Sequence, residues 1–163
     1  MADHKQSMAP VGAADAQLLI LGSLPGDASL AAQRYYAHPT NQFWRLLGAA
    51  IGEGIANLDH DARIARLAAR RIALWDVLAD ATRAGSLDTA IRDARANPLA
   101  TFAATHPALR AVAFNGKTAA SIGRRALGDA AGLTLVDLPS SSAASPSPIA
   151  APSKRQNWLV GCA

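Results

Sequence analysis

Four short apolar runs, at residues 16–21, 71–78, 110–114 and 133–138, are separated by helical patterns, and this alternation constrains the fold more than any other feature of the chain. Residues 41–51 place Phe43, Leu46, Leu47, Ala50 and Ile51 on one helical face, with Thr40 or Asn41 as N-cap and Gly52 and Gly54 ending the helix. Residues 61–70 and 117–127 repeat the helical period. Asn97-Pro98 reads as an N-cap and first helical residue of a helix stopping near His106-Pro107. Residues 82–93 form a turn-rich connection with a short helix from Ser86. Strands alternating with helices imply an α/β fold of three layers, α/β/α, around a central, mostly parallel four-stranded sheet. Such a sheet delivers every strand's C-terminal loop to one rim, where ligands sit. That rim gathers residues 22–26, Asp76, Asn115-Gly116-Lys117 and residues 139–142.

A chain of 163 residues fits one such domain. Residues 1–15 are polar, rich in Gly, Ala and Pro, and aperiodic, and read as a flexible tail before a domain at 16–163. The serine- and proline-rich stretch 139–152 is long for a simple connection, and 153–159 reads as a final helix. No apolar run approaches the roughly 20 residues needed to cross a bilayer. Asp3, His4 and Lys5 are not followed by a signal-peptide hydrophobic region, which implies a cytoplasmic location and no membrane partner. The one cysteine, Cys162, excludes an intrachain disulfide and a cysteine-ligated cluster. The histidines, His4, His38, His60 and His106, are scattered, so no metal or organic cofactor is implied. A net charge of +4 makes a polyanionic partner worth weighing.

Five motifs sharpen that expectation: GSLPG at 22–26, YYAHPTNQFW at 35–44, ALWDVL at 73–78 with SLDTAIRD at 86–93, FNGKTA at 114–119 and LPSSS at 138–142. In this order they resemble the uracil-DNA glycosylase superfamily, most closely its hypoxanthine-DNA (deoxyinosine) branch. AHPTNQFW and GKTA are also similar to the mismatch-specific uracil/thymine enzymes. The resemblance implies cleavage of the N-glycosidic bond of a deaminated base flipped out of the duplex. Bond breaking leaves positive charge on the sugar and negative charge on the base, so the site needs an oriented water, donors around the base and an aromatic wall.

Within this resemblance, Leu24 falls where the mismatch-specific enzymes carry a water-positioning Asn, and a leucine can neither orient nor deprotonate water. The role shifts to Asn41 as the catalytic residue, although an Asn there also serves as a helix cap. Tyr36 matches the aromatic that stacks on the flipped base, with Tyr35 as the alternative and core packing as the plain use of either. Backbone amides of the first motif, from Gly22, Ser23 and Leu24 onward, are implied to face base oxygens. Asp76 takes the base-reading position, where a carboxylate accepts from N1–H of hypoxanthine or N3–H of uracil; it would equally cap a strand-end turn. Asn115 is a further base contact. His38, Lys117, Ser140, Ser141 and Ser142 are implied to meet DNA, with Lys154 and Arg155 nearby. After Ser142 the chain departs from its relatives' Ser-Pro-Ala-Asn and reads AASPSP, without a bulky wedge.

The resulting expectation is a monofunctional glycosylase that excises hypoxanthine, and uracil or xanthine as further substrates, acting as a monomer without an obligate protein partner on DNA containing deaminated bases. The rivals are a mismatch-type uracil/thymine glycosylase on the same scaffold and a DNA-binding module that recognises a lesion without cutting. A serine hydrolase built on residues 140–142 lacks a GxSxG elbow and a convincing His and acid partner.

Overall fold

The computed structural model describes residues 3–128 and 132–142. Its elements are β1 (Asp3–Gln6), β2 (Val11–Gly12), β3 (Leu18–Gly22), α1 (Asp27–Ala32), α2 (Phe43–Ile51), α3 (His60–Ala69), β4 (Ile72–Asp76), β5 (Leu78–Arg83), β6 (Arg92–Ala96), α4 (Leu99–Thr105), β7 (Ala111–Asn115), α5 (Lys117–Leu127) and β8 (Thr134–Leu138), with short 3-10 turns at Ile55–Asn57 and Asp88–Ala90.

The four apolar runs lie side by side in the order β4-β3-β7-β8, all parallel, and β2 adds an antiparallel edge beside β4. This is the mixed α/β architecture read from the sequence, with a fifth, two-residue strand. Period-2 alternation divides β3 between two cores. Leu19 and Leu21 pack with Val112, Phe114, Leu99, Phe102, Ala119 and Leu127 under α4 and α5. Ile20 points the other way, joining Leu74, Ala113, Phe43, Leu46, Leu47 and Leu67 under α2 and α3. Burial on both faces is why the strand reads as a continuous apolar run. Phe43 is fully buried, a transfer worth about 1.5–3 kcal/mol.

A second sheet, β1-β5-β6, is antiparallel and was not apparent in the sequence. The stretch read as a flexible tail is here strand: Asp3 to Gln6 pair with Arg83 to Asp80, and Val11 and Gly12 with Leu74 and Ala73. DHKQ carries no apolar alternation, and its pairing comes from the edge of β5 together with an ion pair from buried Lys5 to Asp27. Tertiary context overrides local preference there. The run 71–78 breaks at Val77, and its continuation β5 changes sheets. The connection 82–93 holds the end of β5, the Asp88–Ala90 turn and the start of β6.

Helix ends differ from expectation in instructive ways. Asn97 does not cap α4; Pro98 occupies that position, while the buried Asn97 amide donates to the carbonyls of Asp76 (2.8 Å) and Leu78 (3.1 Å), bracing the point where β4 leaves the main sheet. Asp59 caps α3 by accepting from the Ala62 N–H at 2.8 Å. The α1 helix, Asp27–Ala32, lies in a stretch to which the sequence pattern assigned no element. The expected helix at 153–159, the stretch beyond Ser142, Lys154, Arg155 and Cys162 lie outside the described residues.

Candidate active site

Register alone brings three of the expected residues together. Gly22 is paired with Asp76 across β3 and β4, and Leu21 with Phe114 across β3 and β7, so Asp76, Gly22 and Asn115 end three adjacent strands in a row. Gly22 matters for the side chain it lacks. A Cβ there would stand 2.8 Å from Asp76 Oδ1 and 3.0 Å from the Tyr36 hydroxyl, so the carboxyl and the phenol converge over its bare backbone. Tyr36 adopts a left-handed backbone, φ 54°, and its ring stacks on Phe43 at 3.8 Å. Its hydroxyl is buried, with the Asn115 side chain the nearest polar neighbour beside Asp76. Burial, then the Asp76 charge, push the Tyr36 phenol well above its ordinary range.

Asp76 is 3% exposed, so its carboxyl is dry. Burial raises its pKa to about 7, opposed by a hydrogen bond from Ser7 and the Arg83 charge and assisted by Asp88. Ser7 Oγ lies 3.2 Å from Asp76 Oδ2, bringing the N-terminal stretch into the site. The next residue, Met8, accepts from Trp75 Nε1 at 3.0 Å and from Tyr35 Oη at 3.2 Å. Tyr35 is therefore a buried clamp on the N-terminal segment, and the ring facing Asp76 is that of Tyr36.

The GSLPG turn is held from beneath. Arg83 is completely buried; Nη1 donates to Leu24 O at 3.3 Å, Nη2 to Pro25 O, and Nε to Gly85 O at 3.0 Å. Its nearest carboxylate is Asp88, 3.9 Å away, which also accepts from Ser23 Oγ at 2.6 Å. The first and third motifs are thus fastened by a buried guanidinium and a shared carboxylate. Leu24 turns its side chain into the core, and the Ser23 hydroxyl is committed to Asp88. What the turn can offer a ligand is backbone.

A second group sits across the rim. Asn41 Oδ1 accepts from the Phe43 N–H at 2.9 Å and from Ser141 Oγ at 2.9 Å. Because a backbone N–H can donate only to oxygen, the first contact fixes which way the amide faces. Both carbonyl lone pairs are used, leaving Nδ2 to act outward as a donor. Fully buried Ser141 also receives Asn115 Nδ2 on its hydroxyl and gives its N–H to Asn115 Oδ1, both at 2.8 Å. One serine therefore ties Asn41 to Asn115. Gly116, at φ 98°, lets Ser140 approach: a Cβ there would be 3.2 Å from the Ser140 Cβ. Ser140 Oγ in turn accepts from Ser142 N at 3.1 Å.

His38 is exposed, and its Nδ1 accepts from the Thr40 N–H at 3.1 Å, a local turn contact. Lys117 is exposed at the start of α5, beside a groove of about 270 Å³ that also involves Ser121, Arg124 and Asp137. Among the described residues no three His, Cys, Asp or Glu side chains stand together to hold a metal ion, and no helix is long and apolar enough to cross a membrane. Ser7 and Arg83 were missed in the sequence. Ser7 lies in an aperiodic stretch and Arg83 among turn residues, so neither carries a local signal of its partner.

The chain is 43% identical over 113 residues to a hypoxanthine DNA glycosylase of Methanosarcina barkeri, covering 69% of this chain and 72% of that one. It is likewise 43% identical over 103 residues to a hypoxanthine DNA glycosylase of Methanosarcina acetivorans, 63% and 65% of the two chains. The solution NMR structure of a candidate uracil DNA glycosylase from Methanosarcina acetivorans superposes with a TM-score of 0.84 at 35% identity, covering 97% of this chain and 96% of that one. The family model for the uracil DNA glycosylase superfamily matches residues 9–160, and the chain belongs to that superfamily.

Proposed function

We propose that this DNA glycosylase excises hypoxanthine from DNA by hydrolysing the N-glycosidic bond, with Asp76 reading the base and Asn41 positioning the water. The observation that carries the reading is the convergence of the dry Asp76 carboxyl and the Tyr36 hydroxyl over Gly22, one strand from Asn115. An ionised Asp76 accepts N1–H of hypoxanthine, and the face of Tyr36 away from Phe43 takes the flipped ring. Backbone amides of the GSLPG turn, held rigid by Arg83, meet the charge that develops on the departing base. The reacting sugar needs a placed water rather than a strong base, because the leaving base has already made C1′ electrophilic. Asn41 Nδ2 can place it. The Asn41 carbonyl is spent, so the amide donates to the water oxygen and leaves a lone pair directed at C1′. His38, Lys117, Ser140 and Ser142 lie toward the phosphates, whereas the buried Ser141, expected from the sequence to meet DNA, is committed to Asn41 and Asn115. The enzyme acts as a cytoplasmic monomer.

The test is a single-turnover assay at low salt on duplexes with one deoxyinosine, deoxyuridine or deoxyxanthosine, with alkali cleavage of abasic sites. Deoxyinosine should be cut fastest, and Asn41→Ala should slow cutting by about 10²-fold, the usual loss for one transition-state donor. Binding without release of any base would instead favour a lesion-recognition module.

A further inference from the structure

The Ser7 hydroxyl stands between two acceptors, Asp76 Oδ2 at 3.2 Å and Met8 O at 3.3 Å, and it has one proton to give. Met8 O already takes the Trp75 N–H and shares the Tyr35 hydroxyl. An ionised carboxylate is the stronger acceptor, so the proton goes to Asp76. The contact is held in place, since Ser7 N donates to Ala79 O at 2.8 Å and pairing of β1 with β5 ends one residue earlier. With Oδ2 occupied from this side, Oδ1 is the oxygen that faces Tyr36 over Gly22.

We propose that Ser7 is a positioning residue for base specificity: its hydroxyl keeps Asp76 a hydrogen-bond acceptor, so that the pocket takes hypoxanthine and refuses adenine. The inference rests on the hypoxanthine reading above. At the Watson–Crick edge, hypoxanthine presents N1–H as a donor and O6 as an acceptor, whereas adenine presents N1 as an acceptor beside an amino donor. A carboxylate matches the first and sets lone pair against lone pair with the second. A proton on Oδ1, the oxygen that faces the site, reverses this: it donates to adenine N1 and no longer accepts N1–H of hypoxanthine. A site that reads a polar edge rejects the mismatched analogue strongly because its own buried group is left unpaired. Undamaged DNA is full of adenine, so the ionised form is the one that must be protected.

The groups around the carboxyl explain why protection is needed. Burial favours the neutral acid, Asp88 on the turn after β5 adds to that, and the hydroxyls of Tyr35 and Tyr36 lie near. Among the described residues, Ser7 and Arg83 on β5 act in the opposite direction. Arg83 is also the fastening of the GSLPG turn, so Ser7 is the separable influence.

The experiment uses the full chain and its Ser7→Ala, Ser7→Thr and Asp76→Asn variants. Single-turnover release from deoxyinosine is followed from pH 5.5 to 8.5, and inhibition by free adenine is measured at the same pH values. Wild-type rates should rise with pH as Asp76 ionises. Ser7→Ala should move that rise upward by about half to one pH unit, a shift appropriate to one lost hydrogen bond. It should also strengthen adenine inhibition several-fold below neutrality, with Ser7→Thr restoring the wild-type profile. Asp76→Asn, whose amide does not ionise, should lose the rise altogether. A Ser7→Ala rate lowered by one factor at every pH, an unshifted profile, or a rise that survives Asp76→Asn would each overturn the inference while leaving the glycosylase intact. A wild-type protein that frees no base from deoxyinosine at any pH overturns the functional reading and this inference with it.

Discussion

The two sides of the rim are built by different means. On one, Asp76, Gly22 and Asn115 are aligned by main-chain register across three central strands, which sets the carboxyl proposed to read the base beside Gly22. On the other, Asn41 is linked to Asn115 by the hydroxyl of one serine, 100 residues away from Asn41 in the chain. A register is shared among many ladder bonds and tolerates the loss of any one. A side-chain bridge depends on each of its members. The first side should therefore fail only when space is filled, and the second when a single polar atom is removed.

Gly22→Ala tests the register side and should have the largest effect. The added methyl group falls within 3.0 Å of both Asp76 Oδ1 and the Tyr36 hydroxyl, so these two must separate. Misplacing a reacting group by about 1 Å commonly costs about 10²-fold in rate, and that loss is expected in single-turnover release from deoxyinosine. Thermal unfolding should change little, because the atoms displaced are side-chain ends rather than strand backbone. A rate within about threefold of wild type would show that the convergence over Gly22 is not used.

Ser141→Ala tests the bridge and should cost less. Asn41 Oδ1 keeps the Phe43 N–H, and Asn115 Oδ1 keeps the Ser141 N–H, so each amide retains one anchor. What disappears is the link between them. About tenfold in rate and about 1 kcal/mol of stability are expected, the usual worth of one hydrogen bond. If Ser141 acts through Asn41, its substitution in an Asn41→Ala background should have almost no further effect on rate. Full additivity of the two losses would separate the serine from Asn41.

This contrast also explains what the sequence disclosed. The central strands were legible because burial on both faces demands unbroken apolar runs, and their ends therefore placed Asp76 and Asn115 on one rim. The β1-β5-β6 sheet was not, because DHKQ and RDARA expose most of their side chains and carry no apolar alternation, and their ion pairs, Arg95 with Asp80 and Lys5 with Asp27, join residues far apart in the chain. Polar bridges leave still less trace. Nothing local to Ser7 indicates a carboxylate 69 residues onward, and Arg83 resembles any surface arginine until its three carbonyl acceptors are seen. Leu24 shows the same limit in reverse: its apolar side chain ruled out a role in holding water, but that it packs in the core and leaves only main chain at the rim is a fact of the fold.

The smallest effect belongs to neither side but to the DNA approach beside them. Lys117 is exposed at the first turn of α5, where the helix dipole favours an anion. Its neighbour across the groove, Arg124, is committed to Asp137 at 2.8 Å. If Lys117 meets a phosphate, Lys117→Ala should weaken binding a few-fold at low salt and reduce the slope of log affinity against log salt by about 1. The loss should be equal for deoxyinosine and undamaged duplexes, because a phosphate contact carries no information about the base. Fluorescence anisotropy across a salt series measures both quantities. An unchanged slope would remove Lys117 from the interface, and a loss confined to the deoxyinosine duplex would bring it into base recognition, joining the approach to the pocket that the register builds.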